Sequence, residues 1–281
     1  PFGVSWKNEK RFVDEESKDP NGRFFVGTPR TSDGSLLFLQ HLMHKMNPEG
    51  SRIGIVFNAS PLFTGDAGSG ESEIRKWIIE NDWLECIVQL PDRMFFNTGI
   101  TTYFWIVTNK KLTERKGKIQ LIDGSSFSSS MRKNLGDKGK EISNDQIKNL
   151  YDIYRNYEEG DFCRIFPNEY FGYTKVTIEQ PRIENNEIKF DKKGQPKSDP
   201  SKRVYERIPL LDNIEEYLNK EILCNSEESW IDRTKDKVGY EINFTKYFYK
   251  FDKLRSLEEI TKDINCIDRE LEILSNELIN G

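Results

Sequence analysis

The sequence predicts an α/β fold in which helices cover both faces of a sheet. Residues 52–58 form a short, mostly β-branched apolar run between turn residues, which is typical of a buried strand. Residues 71–81 follow a glycine-rich turn, begin with acidic side chains and repeat apolar residues at helical spacing, so they predict an amphipathic helix. Two further apolar runs, 84–90 and 101–108, predict strands. Strands that alternate with helices indicate crossover connections within a sheet.

The loops beyond the carboxyl ends of these strands are the predicted ligand-binding positions. They are residues 58–70, after the first strand, and residues 91–99, after the second. The second loop is too short to hold a crossover helix, so the strands on either side of it should pair antiparallel. A helix at residues 35–46 and a strand at residues 118–123 complete the predicted core.

The composition is typical of a folded protein. The overall negative charge does not favour nucleic-acid binding by the chain as a whole. The chain has 281 residues, of which 36% are hydrophobic and 12% aromatic, and its net charge is −5. Any contact with DNA would have to come from a local basic patch or from a partner subunit. The four cysteines, at positions 86, 163, 224 and 266, show no metal-binding or disulfide spacing. No membrane span or signal peptide is apparent, which favours the cytoplasm, and the lack of an initiator Met suggests that the chain begins within a longer protein.

An ordered set of short motifs identifies a known family. The set comprises residues 1–3 (Pro-Phe-Gly), 32–40, 54–58, 60–65, 71–75, 87–91 and 95–100, with two later runs at 171–181 and 237–242. No single motif is decisive, but their order and spacing resemble the modification subunit of type I restriction-modification systems. These are adenine-specific DNA methyltransferases, and the resemblance covers most of the chain.

The resemblance implies a catalytic role for Pro1 and Phe2. In this family an Asn-Pro-Pro-Phe motif follows a strand, and Pro1-Phe2-Gly3 is similar to its last part, with the Asn and the first Pro absent. The target amine of adenine is buried in duplex DNA, so the base must be flipped out. Phe2 would stack on the flipped base, a contact worth about 1–3 kcal/mol.

The resemblance also implies S-adenosylmethionine as the cofactor of the full-length protein. The glycine-rich turn that receives this cofactor has no counterpart before Pro1. We therefore expect the second half of a Rossmann-like methyltransferase sheet with an antiparallel edge hairpin, which would be inactive as an isolated chain. The family's equivalent of the 91–99 loop helps to form the adenine pocket, so Phe95, Phe96, Asn97 and Thr98 are candidate substrate-binding residues. Alternatively, Phe95 and Phe96 plug the end of the sheet.

Two other patterns have simpler interpretations. Residues 65–72 match a phosphate-binding loop except that Glu71 replaces the lysine, and a carboxylate would repel phosphate. A glycine turn that caps a helix is the preferred interpretation. His41 and His44 lie three residues apart without a nearby third ligand, which favours packing or partial exposure over metal binding.

Beyond residue 124 the patterns are weaker. The sequence predicts a basic, serine-rich surface loop at 125–140, a helix at 145–157, a linker or hairpin insertion at 185–203, and a helix at 210–223. A solvated loop is the preferred interpretation of 125–140, and a phosphate-contacting role is the alternative. Residues 244–251 are aromatic enough for a strand or a docking segment. The predicted domains are the carboxyl-terminal half of a methyltransferase domain at 1–181, a mixed extension at 182–252 and a helix at 253–281.

The last helix carries an apolar seam typical of a coiled coil. Its members alternate three and four residues apart: Leu257, Ile260, Ile264, Ile267, Leu271, Leu274 and Leu278. The resemblance implies that this carboxyl-terminal helix binds the specificity subunit, and that DNA and the restriction subunit are further partners. A fold back onto its own domain is the alternative.

Two other functions remain compatible with the sequence. One is a non-catalytic interaction module, in which the α/β region merely presents the seam helix to a partner. The other is a protein-glutamine methyltransferase, because that group also uses an Asn-Pro-Pro-aromatic site. Chains of that group are shorter and lack the long tail.

Overall fold

The computed structural model describes residues 3–184, 187–191, 194–221, 229–249 and 255–280. The side chains of residues 218, 219, 221 and 276–280 lie outside that description. The chain divides into two compact units, Pro1–Phe248 and Tyr249–Gly281. The predicted boundary after residue 181 falls inside the first unit, and the predicted boundary after residue 252 lies four residues beyond the division.

The helices agree with the sequence prediction where an apolar face was recognisable. They are α1 (Lys10–Glu16), α2 (Ser35–His44), α3 (Ser60–Phe63), α4 (Gly70–Glu80), α5 (Asn144–Asn156), α6 (Ile214–Glu221), α7 (Phe244–Phe248) and α8 (Leu257–Asn280). Segment 244–248 is therefore helical, and the strand alternative for it is wrong. Its first residue, Phe244, is buried in the main core. There its ring packs edge-on against that of Tyr103, with the ring centroids 5.3 Å apart.

The strands form two larger sheets and two small hairpins. They are β1 (Arg52–Phe57), β2 (Leu84–Gln89), β3 (Tyr103–Thr108), β4 (Lys118–Asp123), β5 (Ser129–Leu135), β6 (Lys138–Glu141), β7 (Cys163–Pro167), β8 (Gly172–Glu179), β9 (Ile183–Glu184), β10 (Glu187–Ile188), β11 (Val204–Pro209), β12 (Trp230–Ile231) and β13 (Lys237–Tyr240). The predicted surface loop at 125–140 contains the β5–β6 hairpin, so that prediction missed a strand pair.

The first sheet has the order β1-β3-β2-β4-β7. β2 and β3 pair antiparallel, as predicted from their short connection. The hairpin is not at an edge of the described sheet, because β3 also pairs antiparallel with β1 and β2 pairs parallel with β4. β1, β2 and β4 consequently run in the same direction, and their carboxyl ends lie at one edge of the sheet.

Helices cover both faces of this sheet, as predicted. Along β2, Ile87 joins the core formed with α2 and α4, whereas Cys86 and Val88 join a second cluster that includes Leu150 and Ile153 of α5. This alternation follows from the two-residue repeat of a strand. The outer strand differs: in β1 only Phe57 is buried, so the prediction of a buried strand is wrong for the rest of β1. β1 has one partner in the described sheet, and Arg52 and Gly54 are exposed.

The second sheet is built around β8, which pairs with β11 on one side and with β12 and β13 on the other. Arg75 of α4 links it to the first sheet, because its Nε donates to the carbonyl of Tyr240 in β13 at 2.7 Å. Phe171, Tyr240 and Ile242, which lie beside or within this sheet, belong to the main core. β9 precedes the predicted insertion at 185–203, and β10 lies within it.

Helix α8, in the second unit, begins with a capping box. The Ser256 hydroxyl accepts from the backbone N–H of Glu259, and the Glu259 carboxylate accepts from the backbone N–H of Ser256. Five seam residues have described exposures above half: Leu257, Ile264, Ile267, Leu271 and Leu274. Ile260 is half-buried, and the side chain of Leu278 lies outside the described part of the chain.

Candidate functional site

The carboxyl ends of β1, β2 and β4 form one edge of the first sheet, here called the carboxyl edge, and the loops predicted to bind ligand lie there. Residues 58–70 leave β1 at this edge, residues 90–102 leave β2, and the segment leading to the β5–β6 hairpin leaves β4. Pro1 and Phe2 lie outside the described residues. The backbone that follows them is held at residues 30–34: the N–H of Gly34 donates to the carbonyl of Val4 at 2.8 Å, and that of Trp6 to the carbonyl of Thr31 at 3.0 Å.

The loop after β1 is tied to residues 30–33 by a polar cluster that the motifs did not reveal. A guanidinium nitrogen of Arg30 donates to the Ser60 hydroxyl at 2.9 Å, and the backbone N–H of Arg30 donates to the Glu71 carboxylate at 2.8 Å. Asp33 is buried and accepts from the backbone and hydroxyl of Ser35. Burial alone would raise the pKa of Asp33, but the hydrogen bonds from Ser35 and the charge of Arg30 leave that pKa below its usual value.

Arg75 fills the inside of the same loop. Its buried guanidinium donates to the carbonyls of Pro61, Thr64 and Gly65 as well as to that of Tyr240. Burial lowers the pKa of Arg75 to about 10, so the side chain remains charged at neutral pH. The Arg in the family-like motif at 71–75 therefore organises a loop and contributes no group to an open site.

The glycine-rich turn at 65–70 caps α4, as the preferred interpretation holds. The Ser69 hydroxyl accepts from the backbone N–H of Ser72 at 3.4 Å. A Cβ on Gly70 would lie 1.8 Å from the carbonyl oxygen of Thr28, so neighbouring backbone occupies the space in front of this helix. With Glu71 bonded to Arg30, the turn has neither the lysine nor the room that a phosphate would need.

The loop after β2 differs because its aromatic side chain faces solvent. A bridge between Phe95 and Thr98 closes a short turn, and the backbone N–H of Arg93 donates to the carbonyl of Gly99 at 3.3 Å. Phe96 is 57% exposed, Asn97 is exposed and Phe95 is half-buried. Phe96 thus does not plug the end of the sheet.

The β5–β6 hairpin packs on this loop through its backbone. The N–H of Asp137 donates to the carbonyl of Phe96 at 3.0 Å, and the N–H groups of Gly139 and Lys140 donate to the carbonyl of Arg93 at 3.0 and 3.2 Å. The Lys138 ammonium lies 5.3 Å from the centroid of the Phe96 ring. Sequence reasoning missed this contact because residues 125–140 lack the alternation of a buried strand.

The histidines and the buried cysteines lie apart from this loop. His41 is half-buried, with its Nδ1 3.2 Å from a guanidinium nitrogen of Arg23, and His44 is exposed. In the described ranges, no three His, Cys, Asp or Glu side chains are placed to hold a metal ion. Cys86 and Cys163 are free and buried, and burial raises the pKa of both thiols.

None of the helices in the described segments is both long enough and apolar enough to cross a bilayer.

The chain belongs to the N-6 DNA methylase family, whose sequence profile matches residues 1–194. The predicted resemblance to type I modification subunits is confirmed by its relatives. The chain is 27% identical over 237 residues to the type I restriction enzyme MjaIX methylase subunit of Methanocaldococcus jannaschii, covering 78% of this chain and 39% of that subunit.

A second relative gives a shorter but closer match. The chain is 34% identical over 116 residues to the type I restriction enzyme HindI methylase subunit of Haemophilus influenzae, covering 41% of this chain and 25% of that subunit. The chain therefore spans about two fifths or less of the length of these two curated relatives.

A solved structure supports the fold. The crystal structure of the methyltransferase subunit of a type I restriction-modification system from Streptococcus thermophilus matches with a TM-score of 0.50 at 24% identity. The match covers 60% of this chain and 33% of that subunit.

Proposed function

We propose that this chain is part of an adenine-specific DNA methyltransferase subunit of a type I restriction-modification system. The subunit would act in the cytoplasm and transfer a methyl group to the exocyclic amine of adenine in DNA. The family match supports the class of reaction. The observation that carries the site is the open aromatic loop at the carboxyl edge of the sheet, where Phe96 is accessible to a ligand.

The target atom explains why an open aromatic side chain is useful there. Flipping an adenine out of a duplex costs a few kcal/mol, and stacking on an aromatic ring returns about 1–3 kcal/mol per base. We assign this stacking to Phe2 and to Phe96. Asn97 and Thr98 supply an amide and a hydroxyl within the same turn, which suit the polar edge of a base.

The methyl group would come from S-adenosylmethionine. The glycine turn at 65–70 is not a cradle for this cofactor, because it is closed by the carbonyl of Thr28 and by Arg30 bonded to Glu71. We assign to the described residues the role of holding DNA and the flipped base. We also expect the 281-residue chain alone to bind the cofactor weakly and to transfer no methyl group.

Product analysis tests the proposed reaction. A methylase subunit containing this chain is assembled with its specificity subunit and incubated with DNA and the methyl donor, and the DNA is digested to nucleosides. Mass spectrometry should detect N6-methyladenine. Assembly without DNA methylation would favour a non-catalytic interaction module, and methylated glutamine in a protein substrate would favour a protein methyltransferase.

Helix α8 is the proposed contact with the specificity subunit, in a complex that also includes the restriction subunit. A 24-residue helix with exposed aliphatic side chains gains little stability alone, since helices in proteins depend on packing an apolar face. Burying each seam residue would contribute about 1.5–3 kcal/mol before the costs of association. The strict three-four repeat fits a long partner helix better than a globular surface.

A pair of matched double variants tests this contact. Ile264→Asp with Leu271→Asp places two charges on the seam, and we expect loss of co-purification with the specificity subunit. The control is Cys266→Asp with Ile273→Asp, two exposed residues that are also seven positions apart but lie outside the seam. This control should leave assembly intact. Assembly that survives the seam change would show that the partner binds elsewhere.

A further inference from the structure

The β5–β6 hairpin carries a local basic patch on an otherwise acidic chain. Between Ser129 and Glu141 it has four basic residues, Arg132, Lys133, Lys138 and Lys140, against two acidic ones, whereas the whole chain has a net charge of −5. A chain with this overall charge needs such a patch if it contacts a polyanion directly.

The irregular pairing of the hairpin leaves two of these cations outside the strand ladder. Ser130 pairs with Lys140 and Leu135 pairs with Lys138, so four residues of β5 stand opposite the single residue Gly139. This bulge contains Arg132 and Lys133, and both are exposed. Among the described residues neither of them forms an ion pair, whereas Lys140 is paired with Asp92.

The position of the hairpin relates these cations to the candidate base-binding loop. Asp137 bonds to the carbonyl of Phe96, and Lys138 lies over the Phe96 ring. Gly136 has φ +64°, and a Cβ there would lie 2.5 Å from the carbonyl oxygen of Phe96, so the two segments are in direct backbone contact. An anion held by the hairpin would therefore lie next to whatever stacks on Phe96.

We propose that the β5–β6 hairpin binds the DNA backbone beside the flipped adenine, with Arg132 and Lys133 contacting phosphates. The inference rests on the proposed function and adds a DNA contact to it. Contacts to phosphates position a protein without reading sequence, which suits a subunit whose target site is selected by a partner. Lys140, paired with Asp92, and Lys138, over Phe96, hold the hairpin against the loop.

Salt dependence of DNA binding tests the proposal. The affinity of the full chain for a fluorescently labelled duplex with one mismatched adenine is measured by anisotropy over a range of salt concentrations. Each phosphate contact contributes about 0.9 to the slope of log affinity against log salt, so Arg132→Ala with Lys133→Ala should reduce the slope by about 2. Lys116→Ala with Lys118→Ala removes the same charge at the opposite edge of the sheet and should leave the slope unchanged.

The outcomes separate this inference from the proposed function. An unchanged slope in the hairpin variant, or an equal reduction in the control, would overturn the role of the hairpin alone. Loss of assembly with the specificity subunit at an unchanged DNA slope would overturn it in favour of a protein contact. If the unaltered chain fails to bind DNA even at low salt, the hairpin proposal and direct DNA binding by this chain are both wrong.

Discussion

The loops after β1 and β2 leave the same edge of the sheet but differ in what surrounds their side chains. In the loop after β1, Arg75 occupies the interior and Arg30 bonds to Ser60 and Glu71. In the loop after β2, Phe96 is 57% exposed and backbone hydrogen bonds to the hairpin hold the turn. The difference indicates that the first loop is a structural support, and we propose that the second accepts a base.

The largest predicted effect on stability is at Arg75. Replacing it with Ala removes a donor from the buried carbonyls of Pro61 and Tyr240 and from the partly buried carbonyls of Thr64 and Gly65. Each buried group left without a donor costs about 1–3 kcal/mol. We therefore expect Arg75→Ala to lower the free energy of unfolding by about 3 kcal/mol or more, measured by urea denaturation. Lys76→Ala on the same helix is the control and should change stability by less than about 0.5 kcal/mol. Equal stabilities for the two variants would mean that Arg75 does not support the loop.

A smaller effect is predicted for matched glycines in the two loops. Ala at Gly70 would force its Cβ against the carbonyl of Thr28, and overpacking of this kind costs about 1–3 kcal/mol. Ala at Gly99 meets nothing closer than a side-chain carbon of Arg93 at 3.8 Å, so Gly99→Ala should be tolerated. The two melting temperatures provide the measurement. A Gly99 variant as unstable as the Gly70 variant would remove the distinction between a filled loop and an open one.

The sequence predicts those features that depend on local periodicity. The helical faces of α2, α4, α5 and α8 and the apolar runs of β1 to β4 are all found, because their patterns repeat within a few residues. The antiparallel relation of β2 and β3 follows from the length of their connection. The position of β3 between β1 and β2 does not, since strand order is set by pairing between distant segments.

The candidate site was predictable in part. The motif at residues 95–98 predicts the position of the exposed loop. The exposure of that loop and its contact with the β5–β6 hairpin depend on residues about 40 positions away in the sequence. Arg30 and Ser60 also come together across 30 residues, which no spacing rule would reveal. The roles of Phe95, Phe96, Asn97 and Thr98 in binding adenine remain predictions, and Pro1 and Phe2 lie outside the described residues.

Methylation kinetics of Phe96→Ala test the central claim most directly. Because Phe96 is mostly exposed, its removal should change the free energy of unfolding by less than about 0.5 kcal/mol. Losing base stacking worth about 1–3 kcal/mol should lower kcat/KM of the assembled methyltransferase about tenfold to hundredfold. Phe190→Ala, in a ring that is 60% exposed, is the matched control and should behave as the unaltered enzyme. If the Phe96 variant keeps the kcat/KM of that control, the loop after β2 does not receive the base and the account is wrong.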